Sequence, residues 1–170
     1  MIKITLGDIT KQQTTAIVNA ANIHLVAGGG VCGAIHAAAG PELEKECLSI
    51  GGCPTGEARI TGAYDLPAKY VIHAVSPRYW DGTRNEAELL RRCYRSIFLI
   101  AKEHKIGSVA IPAIGTGIYR YPIEQATTIA VEEAQAAISD DIDIVFCCFD
   151  DFTYKTYTDL LENTPPKLDE

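Results

Sequence analysis

Residues 19–40 read NAANIHLVAGGGVCGAIHAAAG. The residues just before and within its start, AIVNAA, have the apolar, β-branched character of a buried strand. Those that end it, GAIHAAA, have helix-forming composition, and Gly40-Pro41 stops the helix. Gly28, Gly29 and Gly30 fall between strand end and helix start, where a backbone without Cβ atoms lets another molecule approach closely. Strand, glycine loop and helix in that order form one unit of a layered α/β domain. The same order recurs later, with SVAIPAI as the strand, GTGIYRYP as the loop and IEQATTIAVEEAQAAI as the helix.

Working outward, IKITL alternates and reads as a first strand that breaks at Gly7-Asp8. PELEKECLSI carries Pro in its first turn and acids early, and so reads as a helix. GEARITGAY and KYVIHAVS read as two strands joined by a turn. NEAELLRRCYRSIFLIAKEHK places Leu89, Leu90, Cys93, Ile97, Ile100 and Ala101 at helical spacing. DIDIVFCCF predicts a buried strand, and DDFTYKTYTDLLE a last helix with Asp150 or Asp151 at its N-cap. The pattern predicts one α/β domain over residues 1–162 with a largely parallel inner sheet, and a flexible tail over 163–170. It leaves the strand order open.

The 170 residues carry a net charge of −7, which argues against non-specific nucleic-acid binding, since phosphates need clustered Lys and Arg. A phosphate-bearing ligand would have to be held by backbone N–H groups and helix ends. The six cysteines form no CxxC and no zinc-finger spacing with the four histidines, so no metal is expected. MIKITLGDI has no charged leader followed by an apolar stretch, and no apolar run approaches a membrane span. A cytoplasmic monomer is the expected state.

Ligands of open α/β sheets sit outside the carboxyl ends of the strands, where both glycine loops fall. Neither loop is a P-loop, because no GK[ST] follows, and neither fits GxGxxG. Two such loops could converge their N–H groups on a diphosphate. Asp8 could accept from an exocyclic amine or cap the ITKQQ segment. Phe149 could stack on a base, although the end of an apolar strand predicts core packing. Asn22 could meet a ribose hydroxyl or close an Asx-turn. Tyr119 could cap a pocket or pack. His24, His36 and His73 read as packed or hydrogen-bonded residues before catalytic ones. Cys32, at a helix start, could be a nucleophile, but no catalytic-cysteine signature surrounds it and it reads as a space-filling residue.

The motifs GDIT, IVNAAN, GGGV.GAIHAAAG, PTGEARIT, VIHAVSP and IPAIGTGIYRYP together resemble the macrodomain family, in its MacroD-type branch, from about Ile2 to Leu161. The resemblance implies a three-layer α/β/α fold around a mixed central sheet, with ADP-ribose in a cleft and no cofactor or metal. It places Asp8 on the adenine amine, Ile9 at a neighbouring backbone contact and Phe149 against the adenine ring. It places the diphosphate on the Gly29-Gly30-Val31 loop and on Gly115, Thr116, Gly117, Ile118 and Tyr119. Asn22 would meet the distal ribose, with Tyr119 shaping that end. Enzymes of this branch deacetylate O-acetyl-ADP-ribose and remove mono-ADP-ribose from acidic side chains of proteins. The implied catalytic positions are Asn22, Cys32 and Tyr119, with a positioned water as nucleophile. Cys32 departs from the branch's usual Asp, although alphaviral macrodomains resemble this chain in having GVC there. A slowed hydrolase is therefore expected, with a non-catalytic ADP-ribose reader as the alternative. Hydrolysis of ADP-ribose 1″-phosphate is a third and weaker expectation.

Overall fold

The computed structural model describes residues 1–138 and 141–164. Six strands form one sheet: β1 (Ile2–Leu6), β2 (Ala16–Ala20), β3 (Ala58–Gly62), β4 (Tyr70–Ala74), β5 (Ser108–Ile111) and β6 (Asp143–Cys148). Their spatial order is β1-β6-β5-β2-β4-β3. Every pairing is parallel except β3 with β4. That exception follows from chain length, because the short 63–69 connection suits an antiparallel pair and a parallel one needs a crossover. Pro112, which has no N–H to donate, follows the last residue of β5, so the strand is shorter than SVAIPAI suggested.

Helices α1 (Gly30–Ala39) and α2 (Pro41–Ile50) cover one face. Helices α3 (Glu86–Glu103), α4 (Ile123–Ala137) and α5 (Asp151–Asn163) cover the other. Alternation along β2 feeds both layers. Val18 packs with Tyr94, Ile97, Phe146 and Tyr157 on the α3–α5 side. Ile17 packs with Ile35, Leu43 and Val71 on the α1–α2 side. Each such fully buried side chain contributes roughly 1.5–3 kcal/mol through removal from water. The architecture is the mixed three-layer α/β/α fold that the resemblance implied.

Local signals act as read. Gly40 ends α1 and, at φ 87°, starts α2, whose Pro41 fills the first turn. Asp150 caps α5 by accepting from Thr153 N at 2.8 Å. Of the expected tail, Asn163 is the last residue of α5, and residues 165–170 lie outside the described residues. Among the described residues no helix is long and apolar enough to cross a membrane.

Candidate functional site

Because β2 and β5 are neighbours, the loops that follow them adjoin at one sheet end. Together with the end of β4 they wall a cavity of about 320 Å³. Asn22, Gly29, Gly30, Val31, Cys32, Gly115, Gly117, Ile118 and Tyr119 all line it, as the sequence suggested. Ile118 is 70% exposed and reaches across the opening toward Gly29. The lining contains no Lys or Arg. What could meet a negative charge lies instead in backbone N–H groups, including the first turn of α1, which no side chain caps, beside the neutral side chains of Asn22, Ser76 and Tyr119. The helix dipole makes that end a favourable place for an anion.

Thr116 is the exception within the second loop. Its hydroxyl donates to Ala113 O at 2.9 Å and its N–H turns toward the same oxygen, so it closes the turn and does not line the cavity. Ser76, just past β4, does line it and was not singled out from sequence. The available signal was its place at a strand's carboxyl end in a parallel array.

Asn22 is engaged with its own loop. Its Oδ1 accepts from His24 N at 3.1 Å and Val26 N at 3.2 Å, and Nδ2 donates to Val26 O at 2.9 Å. The Asx-turn reading therefore holds, and one amide hydrogen remains for a ligand. Cys32 is buried, with Sγ donating to Val26 O at 3.5 Å and accepting from Asn19 Nδ2 at 3.7 Å. Asn19 in turn meets His73 Nδ1 at 3.1 Å. On its other side the His73 ring meets Thr61 Oγ1 at 2.9 Å, and Thr61 donates to Gly62 O. That hydroxyl must therefore accept from His73 Nε2, leaving Nδ1 as the acceptor for Asn19. Burial, and His36 nearby, push His73 down to about 3, so it is neutral. His36 is also buried, and its two ring nitrogens have no hydrogen-bond partner among the described residues. Burial lowers its pKa, with Glu44 opposing, and it lies off the cavity.

Asp8, Ile9 and Phe149 do not line the cavity. They follow β1 and β6, farther along the same sheet end. Asp8 caps a short 3₁₀ turn over Ile9–Lys11, and its Oδ1 accepts from Thr10 N and Thr10 Oγ1. The Thr10 hydroxyl and then the Thr10 N–H hold this carboxyl below its usual range. Ile9 puts its side chain in the core. Phe149 is 86% exposed, which corrects the expectation of core packing. The strand ends at Cys148 and α5 is capped at Asp150, so position 149 lies outside both layers.

All six cysteines are free and buried. Among the described residues no group of three or more His, Cys, Asp or Glu could hold a metal ion.

Comparison with known proteins gives a consistent result. The family model described as Macro domain matches residues 18–130. A macro domain-containing protein of Mesorhizobium japonicum is 51% identical over 92% of this chain and 90% of its own length. O-acetyl-ADP-ribose deacetylase 1 of Pantoea vagans is 48% identical over 95% and 99%. The Trypanosoma brucei macrodomain in complex with ADP-ribose superposes with a TM-score of 0.86 at 41% identity, covering 93% of this chain and 68% of that one.

Proposed function

The chain belongs to the macro domain family, and from that premise we propose that it binds ADP-ribose and hydrolyses esters on the distal ribose. The substrates are O-acetyl-ADP-ribose and proteins mono-ADP-ribosylated on Asp or Glu. The observation that carries this reading is the pair of glycine loops walling one cavity with backbone and without a cationic side chain. A diphosphate fits such a wall, because closely spaced N–H groups and a helix end supply its counter-charge. The adenine would then extend toward Asp8 and Phe149, whose free carboxylate oxygen and open ring suit an amine and a π face. The opposite end of the ligand would reach Asn22, Cys32 and Tyr119.

In this reading water attacks the ester carbonyl, releasing the acid and restoring the ribose hydroxyl. The loops hold the ester and the water in place, and positioning with electrostatic stabilisation supplies the rate. Cys32 does not act as a nucleophile, because its thiol already donates to Val26 O. A second reading, that of a reader without turnover, has one observation in its favour. A thiol engaged with Val26 and Asn19 cannot hold a ribose hydroxyl or a water as a carboxylate would.

The test is release of ADP-ribose from a protein modified on Glu or Asp, at excess enzyme, with ADP-ribose binding measured by calorimetry in the same sample. Release is expected from the unaltered chain, and Cys32→Asp should raise the rate only a few-fold. Binding without release, with turnover appearing only in Cys32→Asp, would establish the reader instead.

A further inference from the structure

Beyond the cavity, the chain that follows β4 sets two exposed arginines, Arg78 and Arg84, around Trp80 on an acidic protein, with Asp81 between them accepting from Thr83 N and Oγ1. The guanidinium of Arg78 lies 5.6 Å from the ring centre of Trp80 and 5.8 Å from that of Tyr119. Arg84 lies 4.9 Å from the Trp80 ring. Neither arginine is ion-paired among the described residues, whereas Arg59, Arg91 and Arg95 all are. Trp80, the chain's one tryptophan, is 57% exposed.

The surface is rigidly built. The buried Glu86 carboxylate accepts from the backbone N–H groups of Trp80, Asp81, Gly82 and Arg84. Tyr79 N donates to Tyr119 O at 2.8 Å, tying this segment to the second glycine loop. Tyr119 is therefore shared, since it lines the cavity and also carries Arg78. The sheet order sets the surface at the end of the site away from Asp8 and Phe149, because β4 and β1 lie on opposite sides of β5 and β2.

We propose that Arg78, Trp80 and Arg84 form a docking platform for acidic residues flanking the ADP-ribosylated side chain of a protein substrate. The proposal rests on the reading above, in which the distal ribose, and so the attached polypeptide, emerges near Tyr119. A guanidinium over an aromatic ring spends its face there and keeps its edge N–H donors for a carboxylate. Single-stranded nucleic acid fits less well. It needs open aromatic faces and a basic track, but two guanidiniums already occupy this indole and the chain carries −7.

The experiment uses the full chain and three peptides that carry ADP-ribose through a hydrolysis-resistant amide, flanked by Glu, Gln or Lys. The unaltered protein should bind the Glu-flanked peptide about fivefold tighter, a preference that salt removes. R78A/R84A should lose the preference while its Kd for free ADP-ribose stays the same. R78E/R84E should instead favour a Lys-flanked peptide, a gain that misfolding cannot produce. Equal binding of the Glu- and Gln-flanked peptides by the unaltered protein, or a preference that survives in R78A/R84A, would overturn the platform and leave the cleft reading standing. An unmodified single-stranded oligonucleotide that competes through the same arginines, without any flank preference, would replace the peptide with nucleic acid. Failure of the unaltered chain to bind free ADP-ribose would overturn both readings.

Discussion

Where the first glycine loop runs into α1, Gly33 has no space for a side chain, since a Cβ there would collide with the Gly28 carbonyl oxygen. In the second, Gly115 sits at φ 84° and a Cβ would meet only ordinary contacts near Ser76 and Tyr121. The difference extends to what holds each loop. Side chains shape the first: the Asn22 amide, the Cys32 thiol and, beneath them, Asn19 on His73. The second is held mainly by backbone, with Arg120 N donating to Gly117 O and Tyr121 N to Gly115 O. A change of residue type such as Cys32 therefore tunes the first loop directly. The second loop responds chiefly to changes in backbone freedom.

Four changes would break or sharpen this contrast. Gly33→Val should be the most damaging, costing about 2–3 kcal/mol as helix and loop are forced apart. Urea unfolding would show the loss and calorimetry a loss of ADP-ribose binding. A Gly33→Val protein of unchanged stability would mean that the first loop is as adaptable as the second.

The second change is in pH, because the two loops rest on groups that lose their stabilisation in different pH windows. His73, beneath the first loop, has its folded pKa near 3, below the ordinary 6.5. The unfolded chain therefore binds a proton that the folded chain refuses, and stability falls as pH drops below 6.5, by up to about 2 kcal/mol by pH 5. His36 adds to the same trend. Glu86 braces the segment joined to the second loop. Burial pushes its pKa up, but its backbone N–H partners outweigh that and hold it near 2, below the ordinary 4.5. Its stabilisation is complete above pH 4.5 and is lost as pH falls toward 2. His73→Gln should flatten the urea midpoint between pH 6.5 and 4.5, and Glu86→Gln only below 4.5.

Gly115→Ala should cost about 1–2 kcal/mol, the penalty of a left-handed backbone without a collision. Gly117→Ala should be the mildest, within about 0.5 kcal/mol, because nothing lies within 4 Å of the added methyl and the φ is ordinary. It also retains the N–H, so a large loss of ADP-ribose affinity there would mean that the loop's bare surface matters as well as its donors.

Much of this was legible in the chain itself. Strand and helix periods, Gly40-Pro41 and Asp150 are local signals, set by dihedral preference and by hydrogen bonds a few residues apart. The two glycine loops stood out because each follows an apolar strand and precedes a helix. Phe149 was misread because an apolar strand looks the same at its end as in its middle. Its exposure depends on where both layers stop. Ser76 and Thr116 both follow the carboxyl end of a parallel strand, so that signal could not tell which one faces the cavity, and the turn that Thr116 closes decides it.

By itself the sequence determined the fold class, the element types and the loops that could hold phosphates, because these depend on side-chain period and backbone freedom over short distances. The tertiary structure alone decided that β5 lies beside β2, so that loops more than eighty residues apart share one cavity. It also decided that Asn22 is largely consumed by its own turn, and that Arg78 reaches Tyr119 through the ends of different strands. Such contacts are set by sheet order and packing, and neither is written in the spacing of residues along the chain.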